Sequence, residues 1–157
     1  MATWAEVTKA APELSAAVRR LFDAHKHKAL ATLRRDGSPR ISGTEVSFRD
    51  GELWLGMMDQ SLKALDLRRD PRLALHSPML DAEMAEGDAK IAGRAIEVDD
   101  IAAKQALHEG GPDPGPFHLF RVDVTEVVRI TLGGDPPDHL VIESWHEGAG
   151  LARVERR

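Results

Sequence analysis

A serine and a lysine near the middle of the chain could hold an anion. Ser61 precedes a helical segment, SLKALDLRRD, and Lys63 lies in its predicted first turn. The start of a helix presents backbone N–H groups without partners and a partial positive charge, and both attract anions such as phosphate. A lysine in the first turn opposes the helix dipole unless an anion compensates it. The segment therefore predicts a phosphate site, although a solvated lysine on an exposed helix explains the spacing equally well.

Other combinations of reactive side chains are less specific. The chain has no cysteine, which excludes disulfides, thiolate metal sites and cysteine nucleophiles. His25 and His27 lie where a helix ends, and an acidic loop lacks the glycine spacing of a calcium-binding EF-hand loop. The acidic residues of this loop are Asp81, Glu83, Glu86 and Asp88. No catalytic triad or carboxylate pair can be identified from residue order, so we predict no metal ligand and name no catalytic residue.

Length and charge narrow the classes of protein. A chain of 157 residues suits a single domain covering residues 1–157. The net charge of -5 argues against a broad nucleic-acid surface. No stretch approaches the roughly 18 apolar residues of a membrane span, and the first residues lack the apolar centre of a signal peptide. We therefore expect a cytoplasmic protein that binds neither nucleic acid nor membrane.

Three helices are predicted. Pro12 and Glu13 suit the first turn of an amphipathic helix. Ser61 is expected to cap the second helix through its side chain, and Pro71 ends that helix. Asp99 is predicted to cap a third helix of about ten residues, which the turn GGPDPGP ends.

The remaining chain is dominated by short strands. Residues 29–33, 40–48 and 52–58 are predicted to form a three-stranded meander, because an Asp-Gly pair separates each strand from the next. The later predicted strands cover residues 72–76, 89–98, 117–124, 127–132 and 140–145. Few of these strands are linked by helices as parallel strands require, so the pattern predicts a barrel with attached helices.

Four segments in this order resemble the pyridoxamine-phosphate-oxidase-like family of flavin- and deazaflavin-dependent proteins. They are KALATLRRDGSPRIS (28–42), GELWLGMM (51–58), SLKALDLRRDPRLALHS (61–77) and GDAKIAGRAIEV (87–98). The resemblance implies a mainly β fold with flanking helices, the split β-barrel of FMN-binding proteins. It also implies a homodimer with the cofactor at the subunit interface.

The resemblance assigns site residues one by one. In the family, a Ser-Arg-Lys segment holds the phosphate of FMN, and here it reads Ser61-Leu62-Lys63, so one cation is missing. A strand arginine gives a second phosphate contact, which Arg40 matches, but Glu45 stands where the family has lysine. Two backbone stretches are expected beside the ribityl chain and ring, and Lys90 and Trp145 are candidate contacts from the partner subunit, with core or interface packing favoured for Trp145. The predicted cofactor-binding residues are Arg40, Ile41, Ser42, Gly43, Thr44, Gly56, Met57, Met58, Ser61, Lys63, Lys90 and Trp145.

These departures argue against pyridoxamine-phosphate oxidase activity itself and favour a more divergent branch. The resemblance implies an oxidoreductase that passes a hydride between bound FMN, or the deazaflavin coenzyme F-420, and a small organic substrate. The alternative is a non-catalytic protein that binds flavin, haem or another tetrapyrrole on the same barrel.

Overall fold

The computed structural model describes residues 2–79, 83–108 and 115–157, which form nine strands and four helices. The strands are β1 (Lys28–Leu33), β2 (Pro39–Thr44), β3 (Ser47–Arg49), β4 (Glu52–Met58), β5 (Arg72–His76), β6 (Asp88–Glu97), β7 (Phe117–Gly133), β8 (His139–His146) and β9 (Gly150–Arg156). The helices are α1 (Trp4–Ala10), α2 (Pro12–Asp23), α3 (Leu62–Arg69) and α4 (Ile101–Ala106). Asp81 of the acidic loop and residues 110–114 of the GGPDPGP turn lie outside the described residues.

The sheet closes because its two edge strands are neighbours in the sequence. Seven of the nine described strands follow the order β2-β1-β5-β6-β7-β4-β3, β8 also pairs with β7 and β9 with β8, and every pair is antiparallel. Only Glu45 and Val46 separate β2 from β3. Three Cα steps of 3.8 Å reach at most about 11 Å, so the sheet must curl until its edges approach. The predicted mainly β fold with flanking helices is confirmed.

The interior of the curled sheet is filled by alternate residues of its strands. On β4, Leu53 and Leu55 are fully buried, whereas the side chain of Trp54 between them points to the other face. Phe22 of α2 is fully buried against the same core, and its ring meets the edge of Phe48 at a centroid distance of 6.2 Å. The helices α1 and α2 therefore cover part of the barrel with apolar side chains.

The N-terminal helices have clear local causes. Thr3 and Glu6 form a capping box at α1, in which the Glu6 amide donates to Thr3 Oγ1 at 3.1 Å and the Thr3 amide donates to Glu6 Oε2 at 2.7 Å. Pro12 begins α2 as predicted, whereas α1 was not predicted. None of the helices in the described ranges is both long and apolar enough to cross a membrane.

The predicted meander is wrong. Residues 40–48 form two strands, β2 and β3, rather than one. β2 pairs with β1, whereas Ser47 of β3 lies opposite Trp54 of β4. Two Asp-Gly turns predicted the local hairpins, but the break at Glu45 and Val46 follows from closure of the sheet, which no local pattern shows.

Other boundaries also differ from the predictions. β7 is one strand of 17 residues, and Thr125 forms a bulge where the pairing with β6 shifts after Ala92. Gly93 is required at this bulge, because a Cβ there would collide with the carbonyl oxygen of Asp123. The third helix, α4, has six residues and is capped by Asp100, whose side chain accepts a hydrogen bond from the Ala103 amide at 2.8 Å. The prediction of Asp99 as its cap is therefore wrong, and β9 was not predicted.

A buried carboxylate joins α3 to two strands. Asp66 is 2 % exposed, and its Oδ2 accepts hydrogen bonds from Thr32 Oγ1 at 2.8 Å and from Arg40 Nε at 2.7 Å. Its Oδ1 accepts from Arg69 at 3.0 Å. Burial raises the pKa of this carboxyl group, but the hydrogen bonds from Arg40, Thr32 and Arg69 outweigh it and hold the pKa below its usual value. α3 is thus fixed against β1 and β2.

We expect Asp66→Asn to lower the free energy of unfolding by about 3 kcal/mol at pH 7. Removing one charge from a buried ion pair leaves its partners uncompensated, at a cost of about 3–5 kcal/mol, and the lower value applies because Arg40 and Arg69 still reach solvent. A carboxyl group with a lowered pKa stabilises the fold above its unfolded pKa, near 3.8, and this contribution is lost as the pH falls through the lower, folded pKa.

Urea unfolding at pH 7 and at several values below pH 4 measures both effects. The control is Asp23→Asn, which removes the exposed pair with Arg19 and is expected to change stability little. Equal stability of Asp66→Asn and the wild type at pH 7 would contradict the role of Asp66.

Candidate functional site

The outer face of β4 forms the floor of a groove. Trp54, Gly56 and Met58 alternate with the buried residues of β4 and point away from the core. A Cβ placed on Gly56 would meet no atom within 4 Å, so the backbone is bare at this position. The cavity has a volume of about 660 Å³, within the usual range of small-molecule sites. We call it the β4 groove; its lining residues are Glu45, Val46, Ser47, Trp54, Gly56, Met57, Met58, Asp59, Leu107, His108, Pro116 and Phe117.

Aromatic side chains give the β4 groove flat apolar walls. The indole of Trp54 is oriented by a hydrogen bond from Nε1 to the Arg49 carbonyl oxygen at 3.2 Å. Phe117 meets the ring of His108 at a centroid distance of 5.4 Å, and the Lys104 ammonium lies 5.6 Å from the Phe117 centroid. Such surfaces suit the stacking of a planar heteroaromatic ring.

The start of α3 lies next to the groove. The Ser61 amide donates to the Met58 carbonyl oxygen at 3.1 Å, which ties the helix start to the end of β4. Ser61 occupies the capping position, but its side chain does not cap the helix as predicted. Its Oγ is buried and has no hydrogen-bond partner among the residues that the structure describes. The first turn contains no acidic residue, so this end of the helix is suited to an anion.

Lys63 joins the helix start to the end of β2. Its Nζ donates to the Gly43 carbonyl oxygen at 2.6 Å. Burial lowers the pKa of the Lys63 amine, and the negative charge of Glu45 opposes this shift. Glu45 itself lines the groove and lies 3.4 Å from the Lys26 ammonium. The bare strand at Gly56 and the unpartnered hydroxyl of Ser61 together fit a planar cofactor that carries a phosphate.

A buried histidine supports the turn between β4 and α3. His118 Nε2 accepts a hydrogen bond from the Gln60 amide at 3.1 Å, and its Nδ1 lies 3.0 Å from Glu97 Oε1. Glu97 also accepts two hydrogen bonds of 2.7 Å from Arg68, whose contact is the main cause of a Glu97 pKa lowered to about 2. The sequence shows no sign of this network, because its members come from β7, β6, α3 and the turn and no local pattern connects them.

Arg40 lies in a different environment from Lys63. It is ion-paired with Asp66 and lines a second cavity of about 530 Å³ with Arg34, Arg35 and Arg69. The phosphate contact predicted for Arg40 stays a prediction. On the same strand, Ile41 is exposed, Ser42 is half-buried and Thr44 is buried.

Lys90 and Trp145 lie far from the β4 groove within one chain. Lys90 is opposite Val128 of β7 and Trp145 is opposite Val127, whereas Gly56 is opposite Leu119. The eight Cα steps from Leu119 to Val127 correspond to at most roughly 26 Å of strand. Trp145 is buried in the core, in agreement with the packing role favoured for it. The contacts predicted for Lys90 and Trp145 from a partner subunit stay predictions.

No group of three or more potential metal ligands occurs among the described residues. His76 lies 3.9 Å from Asp88, and His146 lies 3.0 Å from Glu126. These are pairs at separate positions, so they offer too few ligands for a typical metal site.

Solved structures show the same fold at low sequence identity. A pyridoxamine 5'-phosphate oxidase-related, FMN-binding protein from Nostoc punctiforme is 16% identical, with a TM-score of 0.64 over 100% of this chain and 98% of that one. PhzG from Burkholderia lata, in complex with tetrahydrophenazine-1-carboxylic acid, is 15% identical, with a TM-score of 0.66 over 96% and 91% of the two chains. An F-420 reductase is 19% identical, with a TM-score of 0.53 over 68% and 92%. These likenesses confirm the predicted split-barrel architecture.

A search of the curated proteins finds no significant match. The family model for pyridoxamine 5'-phosphate oxidase matches residues 14–130, which include β1 to β6, α3 and most of β7. The match covers more than half of the chain and includes both the β4 groove and the start of α3. It confirms the resemblance seen in the sequence: the chain belongs to the pyridoxamine 5'-phosphate oxidase family.

Proposed function

We propose that the chain is a cytoplasmic, homodimeric oxidoreductase that uses bound FMN. One observation carries this proposal: the bare backbone at Gly56, in a groove of cofactor size, adjoins a helix start with an unpartnered Ser61 hydroxyl and the Lys63 ammonium. A ring on β4 and a phosphate at α3 would use both features at once. The flavin supplies the hydride chemistry, and the protein supplies binding and orientation.

The phosphate contacts favour a monophosphate held with modest affinity. Lys63 provides one cation, and the first-turn amides and Ser61 Oγ provide donors without charge. Leu62 is largely exposed and offers no donor where the family has arginine. Glu45 places a negative charge beside the same groove. Coenzyme F-420 is the second candidate, because one structural relative is an F-420 reductase, and haem is the least favoured.

The substrate proposed for this site is a small organic molecule. A ring lying on Gly56 would leave its other face open towards the side of the groove formed by Leu107, Pro116 and Phe117. A small planar or apolar molecule could stack there within hydride-transfer distance. We assign no catalytic side chain, because the reaction needs the substrate to be oriented and water to be excluded more than it needs a protein acid or base.

A second copy of the chain would complete the site. Lys90 and Trp145 pair with Val128 and Val127 of β7, at least eight residues along that strand from Leu119, the partner of Gly56. Several large apolar side chains are exposed on the described surface, and a two-fold interface would cover such a surface on both chains. These side chains are Ile41, Met58, Leu62, Met79, Ile101, Leu132, Leu140, Leu151 and Val154. We therefore propose two equivalent cofactor sites per dimer, each lined by both chains.

The first test is the spectrum of the purified protein reconstituted with FMN, coenzyme F-420 or haem. We expect FMN to bind and its absorption bands to shift, because the ring leaves water for an apolar groove. Anaerobic addition of a reduced nicotinamide should then bleach the bound flavin, and a small oxidant should restore it. Binding without reduction or reoxidation would favour a non-catalytic flavin protein, and selective binding of F-420 or haem would replace FMN as the cofactor.

Lys63→Ala should weaken FMN binding about ten- to a hundredfold and leave riboflavin binding nearly unchanged. Only FMN carries the phosphate, and a charge-assisted hydrogen bond contributes about 1.5–3 kcal/mol. Quenching of flavin fluorescence measures both affinities. Lys9→Ala, which removes an exposed lysine from α1, is the control.

A second variant separates the ring from the phosphate. Gly56→Val would place a branched side chain in the space now open above β4, so FMN and riboflavin should lose affinity equally. If Lys63→Ala also weakens both ligands equally, the proposed phosphate contact is wrong.

The dimer predicts complementation between two defective chains. Light scattering should give twice the mass of one chain. Gly56→Val and Lys90→Glu should each weaken FMN binding alone. In a mixed dimer, one site contains both substitutions and the other contains neither, so mixed dimers should regain one intact site. A monomer that binds FMN tightly, or a mixture that regains nothing, would contradict the shared site.

A further inference from the structure

The two ring nitrogens of His118 have different partners. The ring is 4 % exposed, and its Nε2 faces the backbone N–H of Gln60 at 3.1 Å. A backbone N–H can only donate, so Nε2 must present a lone pair. The ring hydrogen is therefore on Nδ1, from which it is donated to Glu97 Oε1 at 3.0 Å. His118 thus connects Glu97 to the turn before α3.

The residue held by His118 has an uncommon backbone conformation. Gln60 has a φ of 56°, in the left-handed region that residues other than glycine rarely occupy. Such a residue persists only where its surroundings hold it. Gln60 stands between Asp59, which lines the β4 groove, and Ser61, which begins α3. Its conformation therefore sets the angle between the β4 groove and the start of α3.

Several charged groups surround the histidine ring, and Glu97 is the one that holds it. Glu97 of β6 is itself held by Arg68 of α3 through two hydrogen bonds of 2.7 Å. Asp59 Oδ1 lies 3.3 Å from His118 Nε2, but its side chain is 46% exposed and can turn towards water, whereas the Gln60 N–H is fixed in the backbone. Asp99 and Lys104 line the adjoining cavity and pair with each other at 2.9 Å.

We propose that His118 is a positioning residue for the cofactor phosphate. Through its hydrogen bond to the Gln60 amide, it holds the turn from Met58 to Ser61 in the shape that directs the first amides of α3 and Ser61 Oγ towards the phosphate. On the other side of the ring, Arg68 holds Glu97, and the contact of Glu97 with Nδ1 fixes the ring tautomer. The inference rests on the proposed binding of a phosphate at α3, but the contact between His118 and Gln60 can be tested without any cofactor.

Two substitutions separate the two hydrogen bonds of the imidazole. The side-chain oxygen of His118→Gln reaches the position of Nε2 and can still accept from Gln60. The amide of His118→Asn reaches only the position of Nδ1, so it keeps the donor to Glu97 and loses the acceptor for Gln60. Comparing the two variants thus isolates the hydrogen bond from the Gln60 amide. Urea unfolding checks that both variants are folded.

We expect His118→Asn to weaken FMN binding about fivefold and riboflavin binding by less than twofold, as for the loss of one net hydrogen bond at the phosphate. His118→Gln should restore the FMN affinity to within about twofold of the wild type. Without cofactor, hydrogen exchange of the Gln60 and Ser61 amides should be faster in His118→Asn than in His118→Gln. All measurements use one pH, so that the ionisation of the phosphate is constant.

Three results would overturn the proposal: equal losses for FMN and riboflavin, equal effects of the two variants, or amide exchange unchanged in His118→Asn. If the wild type binds no FMN, the proposed function fails instead. The exchange of the Gln60 amide then decides alone whether His118 holds the turn.

Discussion

The two-residue link between β2 and β3 is the constraint from which the site follows. These strands lie at opposite edges of the sheet order, and Glu45 and Val46 alone connect them. Closure of the sheet places this link beside β4, where it forms one wall of the β4 groove. It also places Gly43, near the end of β2, against the ammonium of Lys63. The groove and the contact with α3 are both consequences of closing the sheet.

Closure alone would leave α3 unsupported, and a buried charge network supplies the support. Asp66 satisfies Thr32 of β1, Arg40 of β2 and Arg69 of its own helix. A carboxylate taken out of water is stable only when its oxygens are fully hydrogen-bonded, and here each oxygen has a charged partner. Because these bonds are directional, the helix has little freedom to rotate on the barrel. Arg40 therefore has a structural partner already, whatever it contributes to a phosphate.

Local patterns in the sequence predicted local features well. The Asp-Gly turns, the start of α2 at Pro12 and the strand ending at Met58 are all found. The meander failed because the pairing of β3 with β4, and of β2 with β1, depends on closure of the whole sheet. Similarly, Gly56 was predicted because a continuous segment resembles the family, whereas His118 was not, since its partners are 21 and 58 residues away.

The two arginines at the C-terminal end of α3 have structural roles that the sequence pattern does not indicate. Arg68 and Arg69 are the kind of residues that favour the C-terminus of a helix by interaction with its dipole, and in the sequence they resemble solvated charges. In the structure they diverge: Arg69 bonds Asp66 and the Leu33 carbonyl oxygen, whereas Arg68 bonds Glu97, which in turn orients His118. The two arginines thus fix the far end of the helix to β1 and β6. Because these anchors act at the C-terminal end, the N-terminal amides remain available for an anion, and their position is still defined by the strands.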